Sequence, residues 1–218
     1  MSARSEILDR LRGALADVDG APDPQVGHRT MPTMQGAEPP AEGVLERFTE
    51  VVRDYRATVQ FVTSADLPRA VAGALQVAGC SSVVVPTGLD DRWLAEVRHG
   101  SMRVVAEQEV DTAGLDGVDA VVTAAAVGIA TTGTIVLDHG PDQGRRALSL
   151  VPDTHVCVVR AEQVVADVPQ AVARLHPGAE AAQPQTWISG PSATSDIELE
   201  RVEGVHGPRT LMVLLVTD

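Results

Sequence analysis

Apolar residues recur along this chain with two different periods, and the alternation between them lays out a fold. Near the start, Ile7, Leu8, Leu11, Leu15 and Val18 fall at helical spacing and predict an amphipathic helix over Ser5–Val18. Asp19–Pro40 then shows no period and is crowded with Pro and Gly, the mark of a linker or extended arm. From Ala41 a regular rhythm begins. Val44–Tyr55 and Leu67–Ala78 read as helices, and Ala57–Thr63 and Ser81–Pro86 as strands. Asp90–Val97 predicts a helix, Met102–Ala106 a short strand, and Asp119–Ala130 one long apolar strand. Gly133–Asp138 and His155–Arg160 follow as strands, Asp167–Leu175 as a helix, and Thr186–Gly190 and Thr210–Val216 as the closing strands.

Several of these strands are apolar throughout rather than alternating, which places them in a sheet covered on both faces. Their alternation with helices predicts an α/β fold. Only Thr131 and Thr132 separate Asp119–Ala130 from Gly133–Asp138, too short a link for a parallel crossover, so an antiparallel hairpin is expected there. The expected architecture is a mixed, mostly parallel central sheet with helices on both faces. It forms a single α/β domain over residues 41–218, prefaced by a helix and arm over residues 1–40.

Composition narrows the function. At 218 residues the chain suits one substantial domain, and its net charge of -13 repels phosphate backbones. Aromatic residues make up only 2%, leaving few platforms for base stacking, so nucleic acid is not an expected partner. No apolar run reaches the ~18 residues of a membrane helix, and the N-terminus lacks a signal-peptide core, so the expected location is the cytoplasm. All 17 basic residues are Arg. Without Lys there is no Schiff-base, pyridoxal-phosphate or P-loop lysine, and Arg, which stays protonated, cannot replace one. Cys80 and Cys157 are the two thiols, too few for an iron–sulfur cluster or a four-cysteine zinc site, and both lie in or beside apolar stretches.

Two segments carry the remaining chemistry. In the first, Thr132, Gly133 and Thr134 set two hydroxyls around a glycine at a strand junction, where backbone amides can form an anion-binding nest. Arg145 and Arg146 follow Gly144 and suit a carboxylate or phosphate. Read locally, the same residues also make an ordinary hairpin turn and a surface charge balancing Asp138 and Asp142. In the second segment a strand ends at Gly190, and Ser195–Glu198 fits a capping box for a helix over Asp196–Glu203 ended by Gly204. Left over at the helix mouth are Ser192, Thr194 and Asp196, with His206 between glycines beside Gly207. His206 is the candidate proton-transfer residue, since its imidazole titrates near neutral pH. No metal site is expected, because the six histidines show no paired spacing. The nucleophile elbow G-x-S-x-G and the dinucleotide motif G-x-G-x-x-G are absent as well.

These stretches together resemble the LUD-domain family, and most closely its lactate-utilisation protein C branch. The resemblance is carried by Thr132–Leu137, by Gly144-Arg145-Arg146 with Pro152 and His155, by Gly190–Glu198, and by Gly204–Pro208. It departs from the family at Thr131, where Glu is frequent, and at Ala193, where Arg is frequent. The resemblance implies a fold of the NagB/RpiA/CoA-transferase-like group and a bacterial role in oxidising L-lactate to pyruvate beside two partners that carry iron–sulfur motifs. It implies no cofactor in this chain, with clusters only in the partners. A small anionic ligand would sit among Thr132–Thr134, Arg145 or Arg146, and Ser192–Thr194. The N-terminal helix offers a route to a homo-oligomer. Two other readings stay open on the same fold: a stand-alone acyl/CoA transferase or nucleotide-dependent ligase, and a structural or regulatory interaction protein.

Overall fold

The computed structural model describes residues 42–175, 184–190 and 207–218, together with Arg4 and Arg10, both helical. The chain divides at Pro32 into two units, of which the second carries the α/β fold. The expected helix over Ser5–Val18, apart from Arg10, the arm over Asp19–Pro40 and the helix over Asp196–Glu203 lie outside the described residues.

Helix α1 (Val44–Asp54) buries Phe48, Val51 and Val52, the spacing of one helical face. Strand β1 (Thr58–Val62) follows, then α2 (Leu67–Val77), β2 (Ser82–Val85), a 3₁₀ turn (Asp91–Leu94), α3 (Ala95–His99) and β3 (Arg103–Ala106). The expected helix over Asp90–Val97 thus opens as a 3₁₀ turn, with the Asp90 side chain accepting from the Arg92 amide. Next come β4 (Ala120–Ala124), β5 (Val127–Ile129), β6 (Thr134–Leu137), β7 (Thr154–Arg160), β8 (Val164–Val165), α4 (Val168–Leu175), β9 (Thr186–Ile188) and β10 (Thr210–Val216).

Six strands form a sheet in the order β1-β10-β7-β4-β2-β3, with every pair parallel. Successive residues point to opposite faces, so each strand feeds two cores. Val83, Val85, Val122, Val156, Val158 and Leu214 meet α2 and α3 on one side. Cys157, Val159, Val213 and Leu215 meet α1 and a second sheet on the other. That second sheet runs β8-β5-β6-β9. Its Ile135 and Leu137 face the large sheet, while Val127, Ile129 and Val136 pack with Ala171 of α4. The fold is α/β and mostly parallel, as the hydrophobic pattern predicts.

One expectation is corrected. The apolar run Asp119–Ala130 is two strands in two sheets, broken at Ala125 and Ala126. The polar groups freed at the break find partners distant in sequence. Gln163 Nε2 donates to the Ala125 carbonyl at 2.7 Å, the Ala126 amide to Val136 O at 2.9 Å, and the Ala124 amide to Asp142 O at 3.0 Å. A chain can bend this sharply inside a core only where such partners exist and the side chains are small. The expected hairpin is present, with Gly128 opposite Ile135, but it belongs to the smaller sheet. Two-residue β8 has no counterpart in the sequence reading.

Candidate functional site

The site grows from two turns that lean on the same end of α1. The turn between β5 and β6 carries Gly133 at φ 57°, and a Cβ there would stand 2.8 Å from Val51 Cγ1 and 3.0 Å from the Val52 amide nitrogen. The turn after β9 carries Gly190 at φ 86°, where a Cβ would stand 2.5 Å from Tyr55 Cβ. Both positions demand a left-handed backbone and no side chain, which only glycine supplies without strain. Through these contacts the last turn of α1 holds the two segments in register.

Pairing of β6 with β9 sets Ile135 opposite Ile188, so Thr134 and Ser189 become neighbours. Thr134 is 3% exposed, and its Oγ1 lies 2.8 Å from Thr132 Oγ1 and 2.7 Å from Ser189 Oγ. Thr132 is half-buried and Ser189 exposed, so a three-hydroxyl string runs from solvent through a buried centre and back.

Of the predicted residues, Thr132, Gly133, Thr134 and Gly190 come together in this cluster. Arg145 stands elsewhere: it donates through Nη2 to the Val110 carbonyl and through Nη1 to Thr112 Oγ1 at 3.5 Å, in the loop that follows β3. Arg146 opens a 3₁₀ turn over Arg146–Ser149 and is exposed. Gly207 is half-buried just ahead of β10, with open space where a Cβ would stand. Ser192, Thr194, Asp196 and His206 lie outside the described residues. Sequence reasoning missed Ser189, because its place beside Thr134 depends on the register of two strands far apart in the chain.

It also missed where the loop after β6 docks. In a parallel α/β sheet ligands favour the crevice at the carboxyl ends of strands whose connections depart in opposite directions. Here that point lies between β2, which leads outward to β3, and β4, which leads the other way to β7. The chain's own loop occupies it: Pro141 O accepts from the Gly88 amide at 2.8 Å, and Asp142 O from the Ala124 amide. Buried Gln143 fixes the loop by accepting from the Asp138 amide at 2.7 Å and the His139 amide at 3.2 Å. His139, at φ 60°, spans from the Gly144 carbonyl to Thr186 Oγ1, each 2.9 Å from a ring nitrogen. Since a carbonyl only accepts, Nδ1 carries the proton in the neutral ring and Nε2 takes the Thr186 hydroxyl.

Beneath the second sheet lies a buried polar file. His155 is fully buried, with Nε2 2.8 Å from Thr123 Oγ1, and burial lowers its pKa to about 4. Burial pushes the Cys157 thiol up to about 12, and raises Cys80 as well. At neutral pH both stay protonated, poor ligands and poor nucleophiles. Among the described residues no group of three or more His, Cys, Asp or Glu side chains could hold a metal ion. Nor is any helix there long and apolar enough to cross a membrane.

Comparison with known proteins bears on what this arrangement serves. A LUD domain family model matches residues 45–216. Lactate utilization protein C of Deinococcus radiodurans is 48% identical over 173 residues, 79% of each chain. The protein of the same name from Geobacillus thermodenitrificans is 31% identical over 173 residues, 72% of this chain and 71% of that one. Among solved structures, a DUF162 family protein from Deinococcus radiodurans aligns with a TM-score of 0.67 at 42% identity, covering 79% of this chain and 96% of that chain.

Proposed function

The chain belongs to the LUD domain family, and from that premise we propose that it serves lactate utilisation, as the accessory subunit of a cytoplasmic, iron–sulfur-dependent system that oxidises L-lactate to pyruvate. The observation that carries this reading is the 48% identity to lactate utilization protein C over 79% of both chains. No pair of thiols in this chain can hold a cluster, so its part in such a system is to bind and orient. Oxidation of a 2-hydroxy acid to a 2-oxo acid releases two electrons and two protons; the electrons pass to clusters carried by partner proteins.

The ligand pocket in this reading centres on Thr132, Thr134 and Ser189. Hydroxyls at a half-open surface donate to carboxylate oxygens without the desolvation that a buried cation would impose. Ser192, Thr194 and Asp196 follow Gly190 in the chain and would add short polar groups, and His206 would take or return a proton near neutral pH. Arg145 is left out of the pocket, because its guanidinium is committed to Val110 O.

Growth tests the proposal. Deleting the gene should abolish or slow growth on L-lactate as sole carbon source, and the wild-type chain should restore it. His206→Ala should restore it poorly, and tagged wild-type chain from lactate-grown cells should bring down iron–sulfur proteins. Undiminished growth of the deletion strain on lactate would remove the pathway role.

A further inference from the structure

We infer that the outer edge of β1 is a pairing surface for a second copy of this chain, and that Arg53 keeps it closed. β1 ends the six-stranded sheet, and among the described residues no strand pairs with it on its outer side. Backbone groups of successive residues alternate in direction along a strand. The Val62 carbonyl turns inward, to the Thr217 amide just past β10 at 3.2 Å, so the amides and carbonyls of Val59 and Phe61 turn outward. Sheet edges are ordinarily protected by charge or proline. Thr58-Val59-Gln60-Phe61-Val62 carries neither, and Phe61 is 50% exposed. One protection is present. From the last turn of α1, exposed Arg53 donates through Nη2 to the outward Val59 carbonyl at 3.1 Å. The amide of a pairing strand needs that same place, about 2.9 Å from the oxygen.

Antiparallel pairing with a second copy has a two-fold register centred on Gln60. Val59 then faces the second copy's Phe61, and Phe61 the second copy's Val59, so all four outward groups of each copy are bonded. On the α1 face each Phe61 packs against a β-branched neighbour, a favourable cross-strand pair. On the other face exposed Gln60 meets Gln60 of the second copy. A groove of about 700 Å³ between β1 and α2, lined by Thr58, Gln60, Ala70 and Gly73, leaves that side of the seam clear of the helix.

Charge selects the occupant. Beyond the strand, residue 56 of one copy falls level with residue 64 of the other. Exposed Arg56 thus comes towards the exposed Asp218 carboxylate, which the Ser64 amide holds at 2.7 Å, and the same match recurs at the other end. Two chains of net charge -13 repel except where the surface is uncharged or of opposite sign. This edge is uncharged along the strand and opposite in sign at its ends, which favours a second copy over an unrelated strand. The Arg53 bond must break once on each copy, at a cost of roughly tenfold each, so its removal should tighten association roughly a hundredfold.

Size-exclusion chromatography with light scattering on the full chain tests this. Wild type should stay a 22.9 kDa monomer at concentrations where Arg53→Ala runs at twice that mass. Arg53→Met, which keeps the aliphatic stem, should do the same if Arg53→Ala fails to fold. Adding Gln60→Lys or Gln60→Glu to Arg53→Ala sets like charges face to face across the axis and should return the monomer, and mixing the two double variants should restore the dimer. Monomeric Arg53→Ala and Arg53→Met would overturn the assignment and leave the edge to solvent or to a strand of another protein. A dimer that survives both Gln60 substitutions, or a wild type already dimeric and unaffected by Arg53→Ala, would overturn it too, since association would then run through another surface.

Discussion

Replacing His155 with phenylalanine should flatten part of the pH dependence of folding, and the size of the effect is set by where the imidazole sits. The ring is fully buried on β7 with its Nε2 on Thr123 Oγ1, and desolvation holds its pKa at about 4 against an ordinary 6.5. Above pH 6.5 the ring is neutral both folded and unfolded, and its contribution is constant. Between pH 6.5 and 4 the unfolded chain binds a proton that the folded chain refuses, so stability falls as the pH falls. The slope is about 1.4 kcal/mol per pH unit, and the loss approaches about 3 kcal/mol near pH 4. Phenylalanine has no such titration. At pH 7.5 the variant should be less stable than wild type by about 1 kcal/mol, because Thr123 Oγ1 loses its bond to the ring and keeps only the long 3.8 Å contact to Cys157 Sγ. At pH 5 that gap should vanish or reverse. Urea unfolding followed by circular dichroism at the two pH values gives both numbers. Surface carboxylates titrate alike in the two proteins and cancel in the difference. Parallel pH–stability curves for wild type and His155→Phe would refute the reasoning.

Three further outcomes are expected. Gly133→Ala places a methyl against the α1 backbone at a left-handed φ, and should cost about 2 kcal/mol, lowering the melting temperature by about 4–8 °C in a thermal scan. Arg145→Met should lower stability by about 1–2 kcal/mol through the lost bond to Val110 O while leaving lactate affinity within about twofold of wild type; a tenfold loss in calorimetry would put the guanidinium back in the pocket. Cys157, fully buried with its thiol held near 12, should resist a thiol-specific chromogenic reagent in the native protein and react once urea is added, whereas half-buried Cys80 should react slowly in the native state.

Much of the scaffold was legible because it depends on local periodicity. The stripe of α1, the apolar runs of β2 and β7, and the short link that forces the β5–β6 hairpin are all written in neighbouring residues. What escaped depends on partners far away in sequence. Nothing near Ala125 announces that Gln163 will donate to its carbonyl, so the break between β4 and β5 reads as one continuous strand. Ser189 matters only because Ile188 pairs with Ile135, a register that no local pattern fixes. The glycines of the two turns were visible as candidates, yet their reason, the approach of Val51, Val52 and Tyr55, belongs to the packed molecule. Arg145 shows the opposite failure: a residue type suited to anions was drawn instead into bracing a loop.

The loop that docks on the ends of β2 and β4 has a consequence for chemical probes. Compounds shaped for the nucleotide clefts of doubly wound sheets will meet Pro141 and Asp142 where they expect an opening. A fragment library aimed at this protein is better built from small, hydroxylated acids and directed at the flank beside Thr132 and Ser189, where the smaller sheet meets water.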